Sequence, residues 1–134
     1  YVVGKPLTIT VEIRSLGDGV ILAQGGSAYG YALYIQEKKV HFAVRRNNKL
    51  VVLSSERPLP SDSGTLQMVW GTEGTVVLKW NGDVIVRSEG IPPLQTMPQE
   101  GLQVGSDGGG LVGPYSEVNQ FTGSLGKILI ELKS

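Results

Sequence analysis

Residues 101–132 read GLQVGSDGGGLVGPYSEVNQFTGSLGKILIEL, and this stretch decides the fold. Ile128 and Ile130 occupy alternate positions near its end, and this period of two predicts a closing strand over residues 121–132. A shorter apolar segment, 102–105, predicts a second strand, which we expect to be buried. The glycine-rich segment between the two strands is a long loop. Because so long a loop in a compact domain is usually either functional or disordered, it is the first place to look for a site.

Length and composition indicate a single domain. With 134 residues the chain can bury roughly two-thirds of its unfolded surface, so we expect residues 1–134 to form one domain. The 12 basic and 12 acidic residues cancel, so no net charge directs the chain to nucleic acid or to an anionic membrane. Cysteine is missing, which excludes disulfides, thiolate zinc sites and cysteine nucleophiles. Because the chain starts at Tyr1 without a signal-peptide pattern, we expect a domain excised from a larger enzyme.

The rest of the chain is a succession of short strand patterns. The clearest is the alternation of apolar and polar residues over 7–14, which predicts a half-buried strand. Asn81-Gly82, between two apolar alternations, is the strongest hairpin signal. Trp70 and Trp80 each end an alternation and are expected in the core. About ten such strands with frequent turns, and no helical period, predict an all-β fold: a two-sheet antiparallel β-sandwich.

Five segments occur in an order that resembles the concanavalin A-like (laminin-G-like) jelly-roll family. They are DGVILAQGG (18–26), YGYALYIQEKKVHFAVR (29–45), TVVLKWNGDVIV (75–86), GLQVGSDGGG (101–110) and FTGSLGKILIEL (121–132). The resemblance covers nearly the whole chain and implies the jelly-roll sandwich of the concanavalin A-like lectins and glucanases. The Trp-His pair common before the central hairpin of laminin-G modules is missing, which argues against that narrower family.

Two longer segments resemble the C-terminal non-catalytic domain of many bacterial arylsulfatases. They are LAQGGSAYGYALY (22–34) and GLQVGSDGGGLVGPYSEVNQFTG (101–123). The resemblance implies a secreted or periplasmic parent enzyme that acts on sulfated polysaccharide, with the catalytic domain of that parent as a partner. Sulfatase chemistry needs a C/S-x-P/A-x-R signature for the formylglycine nucleophile, and no segment of this chain fits it. We therefore expect this chain not to be an enzyme itself.

Two further catalytic arrangements do not fit the sequence. Jelly-roll glycosidases carry paired carboxylates at alternate positions of one strand, whereas the 12 acidic residues here are scattered and no two stand at i and i+2. His41 is the only histidine, so a Ser-His-Asp triad or a histidine metal site would depend on it alone. Its phase, opposite to that of Val40 and Phe42, predicts a solvent-facing position on a strand.

Calcium is the one cofactor that the sequence leaves open. The concanavalin A-like family often binds one ion at the rim of the sandwich, and Ca²⁺ takes oxygen ligands from carboxylates, amides and loop carbonyls. The candidate ligands are Asp107, Glu117 and Asn119, which all lie in the glycine-rich loop. The alternative is that Asp107 caps a turn.

A glycan site would present aromatic faces to sugar rings and polar side chains to hydroxyl groups. The residues that fit this description are Tyr29, Tyr31, Asp107, Tyr115, Asn119 and Gln120. The alternative is that Tyr31 and Tyr115 pin the long loop to the core. Two functions are therefore predicted as alternatives. One is an accessory module that binds a polysaccharide or sulfated glycan, and the other is a structural domain that packs on a catalytic domain and shapes its substrate cleft.

Overall fold

The computed structural model describes residues 6–47, 49–91, 102–108, 111–116 and 118–132. These residues form ten strands and no helix, so none of them belongs to a helix that could cross a membrane. The strands are β1 (Leu7–Ser15), β2 (Gly19–Gly25), β3 (Gly30–Gln36), β4 (Lys39–Arg46), β5 (Lys49–Ser54), β6 (Gly64–Trp70), β7 (Val76–Trp80), β8 (Asp83–Ser88), β9 (Gln103–Val104) and β10 (Ser124–Leu132). The predicted all-β fold is confirmed.

The strands form two five-stranded antiparallel sheets that stack as a jelly-roll sandwich. The β1 sheet has the order β10-β1-β6-β7-β8, and the β3 sheet has the order β5-β4-β3-β2-β9. Strands β1 and β10 are far apart in sequence but lie side by side, with Ile9 opposite Ile130. The segment that follows the glycine-rich loop therefore completes the β1 sheet.

The core lies between the sheets and follows the period of two. Alternate residues of β1 from Leu7 to Ile13 are at most 3% exposed. Trp70 and Trp80 are both buried, as predicted. The Trp70 ring meets Phe42 edge-on with the ring centroids 5.5 Å apart, and its Nε1 donates to the carbonyl of Ile91 at 2.8 Å. This bond satisfies the buried indole N–H, which would otherwise lower the stability of the core.

The β7–β8 and β3–β4 hairpin turns both use residues in the left-handed region. Asn81 and Gly82 have φ of 50° and 87°, as a two-residue turn between β7 and β8 requires, and the predicted hairpin is confirmed. The turn between β3 and β4 is less expected, because Glu37 and Lys38 have φ of 55° and 64°. A positive φ costs a residue with a side chain of this size roughly 1–2 kcal/mol.

Hydrogen bonds on both sides hold this strained turn. Asp18 Oδ1 accepts the N–H of Glu37 at 3.0 Å. The carbonyl of Lys38 accepts the N–H of Leu59 at 2.8 Å. The β3–β4 turn is therefore fixed by segments on either side of it.

The strand predicted over residues 102–105 is shorter and more exposed than expected. β9 contains only Gln103 and Val104 and pairs with β2 at the edge of the β3 sheet. Val104 is 53% exposed and Leu102, just before the strand, is 40% exposed, so the prediction of a buried strand is wrong. An edge strand has a neighbour on one side only, which leaves its side chains open to solvent.

The closing strand begins at Ser124, three residues after the predicted start at Phe121. The N–H of Phe121 donates to the carbonyl of Gly105, and the N–H of Thr122 donates to the carbonyl of Asp18, both at 2.8 Å. These bonds take the place of a ladder with β1. Residues 121–123 therefore tie the loop and the β1–β2 turn together before β10 starts.

The glycine-rich loop packs on the outer face of the β3 sheet. Ala23, Ala32 and Ala43 lie opposite one another on three adjacent strands of that face. Val112 of the loop is 0% exposed and packs with these alanines in an apolar cluster that is separate from the core. Arg45 Nε donates to the carbonyl of Val112 at 2.6 Å. Because the loop covers the outer face, β3 is buried on both sides.

Replacing Ala43 by leucine tests this packing. We expect Ala43→Leu to lower the free energy of unfolding by about 1–3 kcal/mol, because the added carbon atoms force the loop or the strand to move. Ala28→Leu, at an exposed bend, is the matched control and should change stability by less than about 0.5 kcal/mol. Urea unfolding followed by tryptophan fluorescence measures both variants. An Ala43→Leu protein as stable as the parent would contradict the packing of the loop on the sheet.

Candidate functional site

Asp107 and Asn119 join the two ends of the glycine-rich loop. The Asp107 N–H donates to Asn119 Oδ1 at 2.7 Å, and Asn119 Nδ2 donates back to the Asp107 carbonyl at 2.8 Å. Asn119 Nδ2 also donates to the carbonyl of Ser116 at 2.9 Å. Both side chains are buried. The Asn119 amide thus plays the part of a neighbouring peptide group in a β-bridge, and it fixes the geometry of the loop.

The Asp107 carboxylate points into the loop. Its Oδ2 accepts the N–H of Val112 at 2.8 Å and also the hydroxyl of Tyr115. Its Oδ1 is buried and has no hydrogen-bond partner among the described residues. Asp107 therefore organises the turn of the loop, in line with the interpretation of this residue as a turn cap.

Three rings stand in a row on the outer face of the β3 sheet. Tyr115 meets Tyr34 edge-on, with ring centroids 5.1 Å apart and an interplanar angle of 75°. Tyr34 stacks on His41, with centroids 4.8 Å apart and an angle of 18°. His41 faces outward, as its phase predicts, but it is half-buried under Tyr34, and its Nδ1 lies 2.6 Å from Ser54 Oγ. The row links the loop to the strands of the sheet.

Burial favours the uncharged form of these rings. Desolvation, and secondly the hydrogen bond to Asp107, raise the pKa of the Tyr115 hydroxyl. Desolvation also raises the pKa of Tyr34, and it raises the pKa of Tyr31 to about 12. Desolvation lowers the pKa of His41 below its ordinary value, which is already under 7.

A surface groove of about 480 Å³ lies between the loop and the ends of β2 and β3, and we call it the loop groove. Tyr115 supplies most of its aromatic surface, because Tyr34, which also lines it, is only 4% exposed. Its polar lining consists of Asp18, Gln36, Ser116, Asn119, Gln120 and Thr122. Val118 lies at the groove and is 91% exposed. Aromatic edges and polar side chains therefore share one concave surface.

The structure brings three of the predicted glycan-site residues to the loop groove. Tyr115, Asn119 and Gln120 line it. Asp107 does not line it, because its side chain is 1% exposed and lies behind Tyr115. Asp107 reaches the groove only through its hydrogen bond to the Tyr115 hydroxyl.

The other two predicted tyrosines lie away from the loop groove. Tyr31 is 0% exposed on the inner face of β3, where it packs near Phe42 and donates its hydroxyl to Gln24 Oε1 at 2.7 Å. Both faces of its ring contact protein and offer nothing to a sugar. Tyr29 is half-buried against the core and precedes β3, at the end of that strand opposite to the groove.

Sequence reasoning missed Tyr34, Gln36 and Asp18. Tyr34 and Gln36 are visible in the sequence as the residues of β3 that are out of phase with Tyr31, so the alternation places them on the face opposite to Tyr31. Asp18 stands in an ordinary Gly-Asp-Gly turn. It meets this part of the chain because its carbonyl accepts both the N–H of Thr122 at 2.8 Å and the hydroxyl of Thr122, 104 positions later in the chain, at 2.9 Å. No local pattern signals such a contact.

The described residues do not fit a calcium ion. Ca²⁺ takes six to eight oxygen ligands. Asn119 Oδ1 and Asp107 Oδ2 already accept hydrogen bonds, which leaves Asp107 Oδ1 as the one candidate oxygen of these two side chains. Glu117, the third predicted ligand, lies outside the described residues, and within them no three His, Cys, Asp or Glu side chains cluster as a metal site.

Tyr115→Phe tests whether the buried hydroxyl holds the loop. We expect the variant to lose about 1–2 kcal/mol of stability at neutral pH, because Asp107 then keeps a single hydrogen bond to its carboxylate. The amide of Val112, which donates to the same oxygen, should exchange its hydrogen faster. Tyr31→Phe is the control: it also removes a buried hydroxyl, but it should leave exchange at Val112 unchanged. If the Val112 amide exchanged its hydrogen at the same rate in the parent, Tyr115→Phe and Tyr31→Phe proteins, the Tyr115 hydroxyl would not be what holds the loop.

Alkaline pH tests the same rings in the unmodified protein. Since the pKa of Tyr31, Tyr34 and Tyr115 is raised in the folded state, the neutral phenols contribute stability that is complete below their unfolded pKa of about 10 and is lost as pH rises above it. We therefore expect the free energy of unfolding to fall steeply above about pH 10, and less steeply in Tyr115→Phe. Urea unfolding at successive pH values measures this slope. Identical slopes in the two proteins would contradict the burial of the Tyr115 hydroxyl.

No protein-family model matches this sequence, and no curated protein matches it. Its fold does match solved structures. Over 96% of its length the chain is similar to the mouse laminin alpha1 chain, domains LG4-5, with a TM-score of 0.73 and 20% identity, and it covers 36% of that chain. This likeness confirms the predicted laminin-G-like jelly roll.

A second similar structure comes from work on botulinum neurotoxin type C, whose cell entry is described as dependent upon interaction with two ganglioside molecules. The TM-score is 0.58 at 12% identity, and the match covers 96% of this chain and 31% of that chain. The chain thus spans about a third of the length of each of these solved chains. At such low identity the two likenesses show the fold alone: a concanavalin A-like, laminin-G-like β-sandwich.

Proposed function

We propose that this domain is a non-catalytic glycan-binding module and that the loop groove is its binding site. The observation that carries the proposal is the lining of the groove, where the half-buried ring of Tyr115 lies beside amide and hydroxyl side chains. Sugars need this combination, since they offer apolar C–H faces together with hydroxyl groups. Asp18 is the single carboxylate among the described residues that line the groove, whereas glycoside hydrolysis uses a pair. Binding without hydrolysis is therefore the proposed activity.

The rigidity of the groove supports this proposal. Tyr115 is held by Asp107 and packed against Tyr34, and Asn119 is held by its three hydrogen bonds within the loop. A site whose side chains are already ordered loses less conformational entropy when a ligand arrives. The side chains of Gln36 and Gln120 are exposed at the groove and offer their amide groups to the ligand.

The class of ligand is in line with one of the similar structures. Gangliosides, which are named as the molecules on which entry of botulinum neurotoxin type C depends, carry glycan headgroups. The identity of 12% transfers no residue and no ligand to this chain. The likeness supports only the general idea that domains of this fold occur in proteins that interact with glycans.

A second candidate function is a structural domain that packs on a catalytic domain, as in the arylsulfatase resemblance. The observation that favours it is the exposure of apolar side chains in the loop and next to β9 and within it: Val118 is 91%, Val104 53% and Leu102 40% exposed. A neighbouring domain would remove these side chains from water. Neither similar structure described above is a sulfatase, so the sulfatase parent and its secreted or periplasmic location stay predictions. A formylglycine signature upstream in the full-length protein would support them.

Gln120→Ala is the sharpest test of the glycan site. Its backbone forms a bridge to Val20 but its side chain is exposed, so the variant should fold normally. We expect it to bind a glycan identified on an array about three- to tenfold more weakly, which is the value of one hydrogen bond. Isothermal titration calorimetry measures the affinity.

Gln67→Ala is the matched control for this test. It removes the same amide from β6 in the other sheet, where Gln67 Nε2 contacts Thr10 Oγ1 at 3.3 Å, and it should leave glycan affinity unchanged. Failure of the chain to bind any glycan on the array would overturn the proposal and favour the structural candidate. Equal affinities of Gln120→Ala and the parent would place the binding site elsewhere.

A further inference from the structure

The loop groove carries charge of one sign. Asp18 is the single charged side chain among the described residues that line it, and none of them is a lysine or arginine. A second carboxylate, that of the buried Asp107, accepts the hydroxyl of Tyr115. The hydroxyls of Tyr34 and Tyr115 are neutral at neutral pH, because a phenol ordinarily titrates at about pH 10 and burial raises the pKa of both further. An anionic group that entered this groove would therefore meet negative charge without a compensating cation from the described lining.

Hydrogen bonds hold Asp18 in its position at the groove. Its carbonyl accepts the N–H of Thr122 at 2.8 Å and the Thr122 hydroxyl at 2.9 Å, and its Oδ1 accepts the N–H of Glu37 at 3.0 Å. Its other carboxylate oxygen, Oδ2, makes no hydrogen bond to the described residues, and the side chain is exposed. A fixed carboxylate oxygen at a groove accepts ligand hydroxyls well, because charge-assisted hydrogen bonds are about twice as strong as neutral ones.

Three charged side chains, Glu37, Lys38 and Lys39, lie at the β3–β4 turn beside Asp18, and none of them lines the groove. One acidic and two basic side chains give a net charge of +1, which reduces the negative potential at the rim but places no cation in the described lining. Gln36, which does line the groove, directly precedes the strained turn that Asp18 supports. Asp18 thus contributes both its charge and the position of a neighbouring amide.

We infer that Asp18 determines the specificity of the loop groove, accepting hydroxyl groups of an uncharged saccharide and repelling sulfated or carboxylated ones. This inference rests on the proposed function. It makes the ligand a neutral oligosaccharide or polysaccharide, in contrast to the sulfated glycan that the sequence resemblance implies. Repulsion between like charges a few ångströms apart weakens binding several-fold in a water-filled groove, and salt screens the effect.

Matched pairs of polymers test the inference. The probes are dextran, laminarin, galactan and xylan, each compared with a chemically sulfated derivative of the same polymer, in affinity electrophoresis at low ionic strength. We expect the parent protein to bind at least one neutral polymer about tenfold more tightly than its sulfated derivative. The ratio should shrink as salt is added, because screening reduces the repulsion.

Asp18→Asn isolates the charge from the structural role. Asparagine keeps an oxygen that accepts the Glu37 N–H, so the turn should stay in place while the negative charge is lost. We expect the ratio of neutral to sulfated binding to fall to about threefold or less. Asp83→Asn removes an exposed carboxylate from the β7–β8 hairpin of the other sheet and should leave the ratio unchanged.

The possible failures can be told apart. If the sulfated polymers bind the parent as tightly as the neutral ones, or if Asp18→Asn leaves the ratio unchanged, the inference about Asp18 is wrong. A loss of neutral-glycan binding in Gln120→Ala would in that case still support the proposed function. If no polymer binds the parent protein, both the inference and the proposed function are overturned.

Discussion

The reciprocal hydrogen bonds between Asp107 and the Asn119 amide hold the glycine-rich loop against the β3 sheet. Ordering a loop costs roughly 1–2 kcal/mol of backbone entropy per residue, and glycines raise this cost. The bonds of the Asn119 amide and the burial of Val112 against three alanines offset it. This packing requires the small alanine side chains on the sheet, because they leave room for the loop backbone. Without the anchor, the outer face of β3 would expose an apolar surface to water.

The same anchor shapes the candidate site, because Asn119 and Tyr115 belong both to the anchor and to the groove lining. Stability and the proposed ligand binding are therefore coupled at these two positions, and we expect a substitution there to change both together. Gln120 and Gln36 are different, since their exposed side chains touch the groove without holding the loop. The groove thus consists of a rigid inner part, made by the loop, and an outer part of side chains that are available to a ligand.

Local rules were sufficient for most of the fold and insufficient for the site. The alternation over residues 7–14 and the Asn81-Gly82 turn follow from strand period and turn geometry, which involve near neighbours only. The start of β10 depends instead on bonds from Phe121 and Thr122 to Gly105 and Asp18, which are far away in sequence. The tyrosines of β3 show the same limit. Alternation places Tyr31 and Tyr34 on opposite faces, but it does not say which face is the inner one, since the loop buries both.

The charge of the groove, like the position of its residues, depends on tertiary contacts and cannot be read from the overall composition. The chain has equal numbers of acidic and basic residues, and this balance says nothing about the field inside one groove. A ligand in the loop groove is affected mainly by charges within about 8–10 Å, because salt screens those farther away. There the tertiary contact of Thr122 with the Asp18 carbonyl places one carboxylate beside neutral rings and amides. A resemblance to domains of enzymes that act on sulfated polysaccharide concerns the whole parent protein, whereas the ligand meets only this local surface. For the proposed function the local surface therefore carries more weight in the choice of ligand, and the sign of its described lining favours an uncharged sugar.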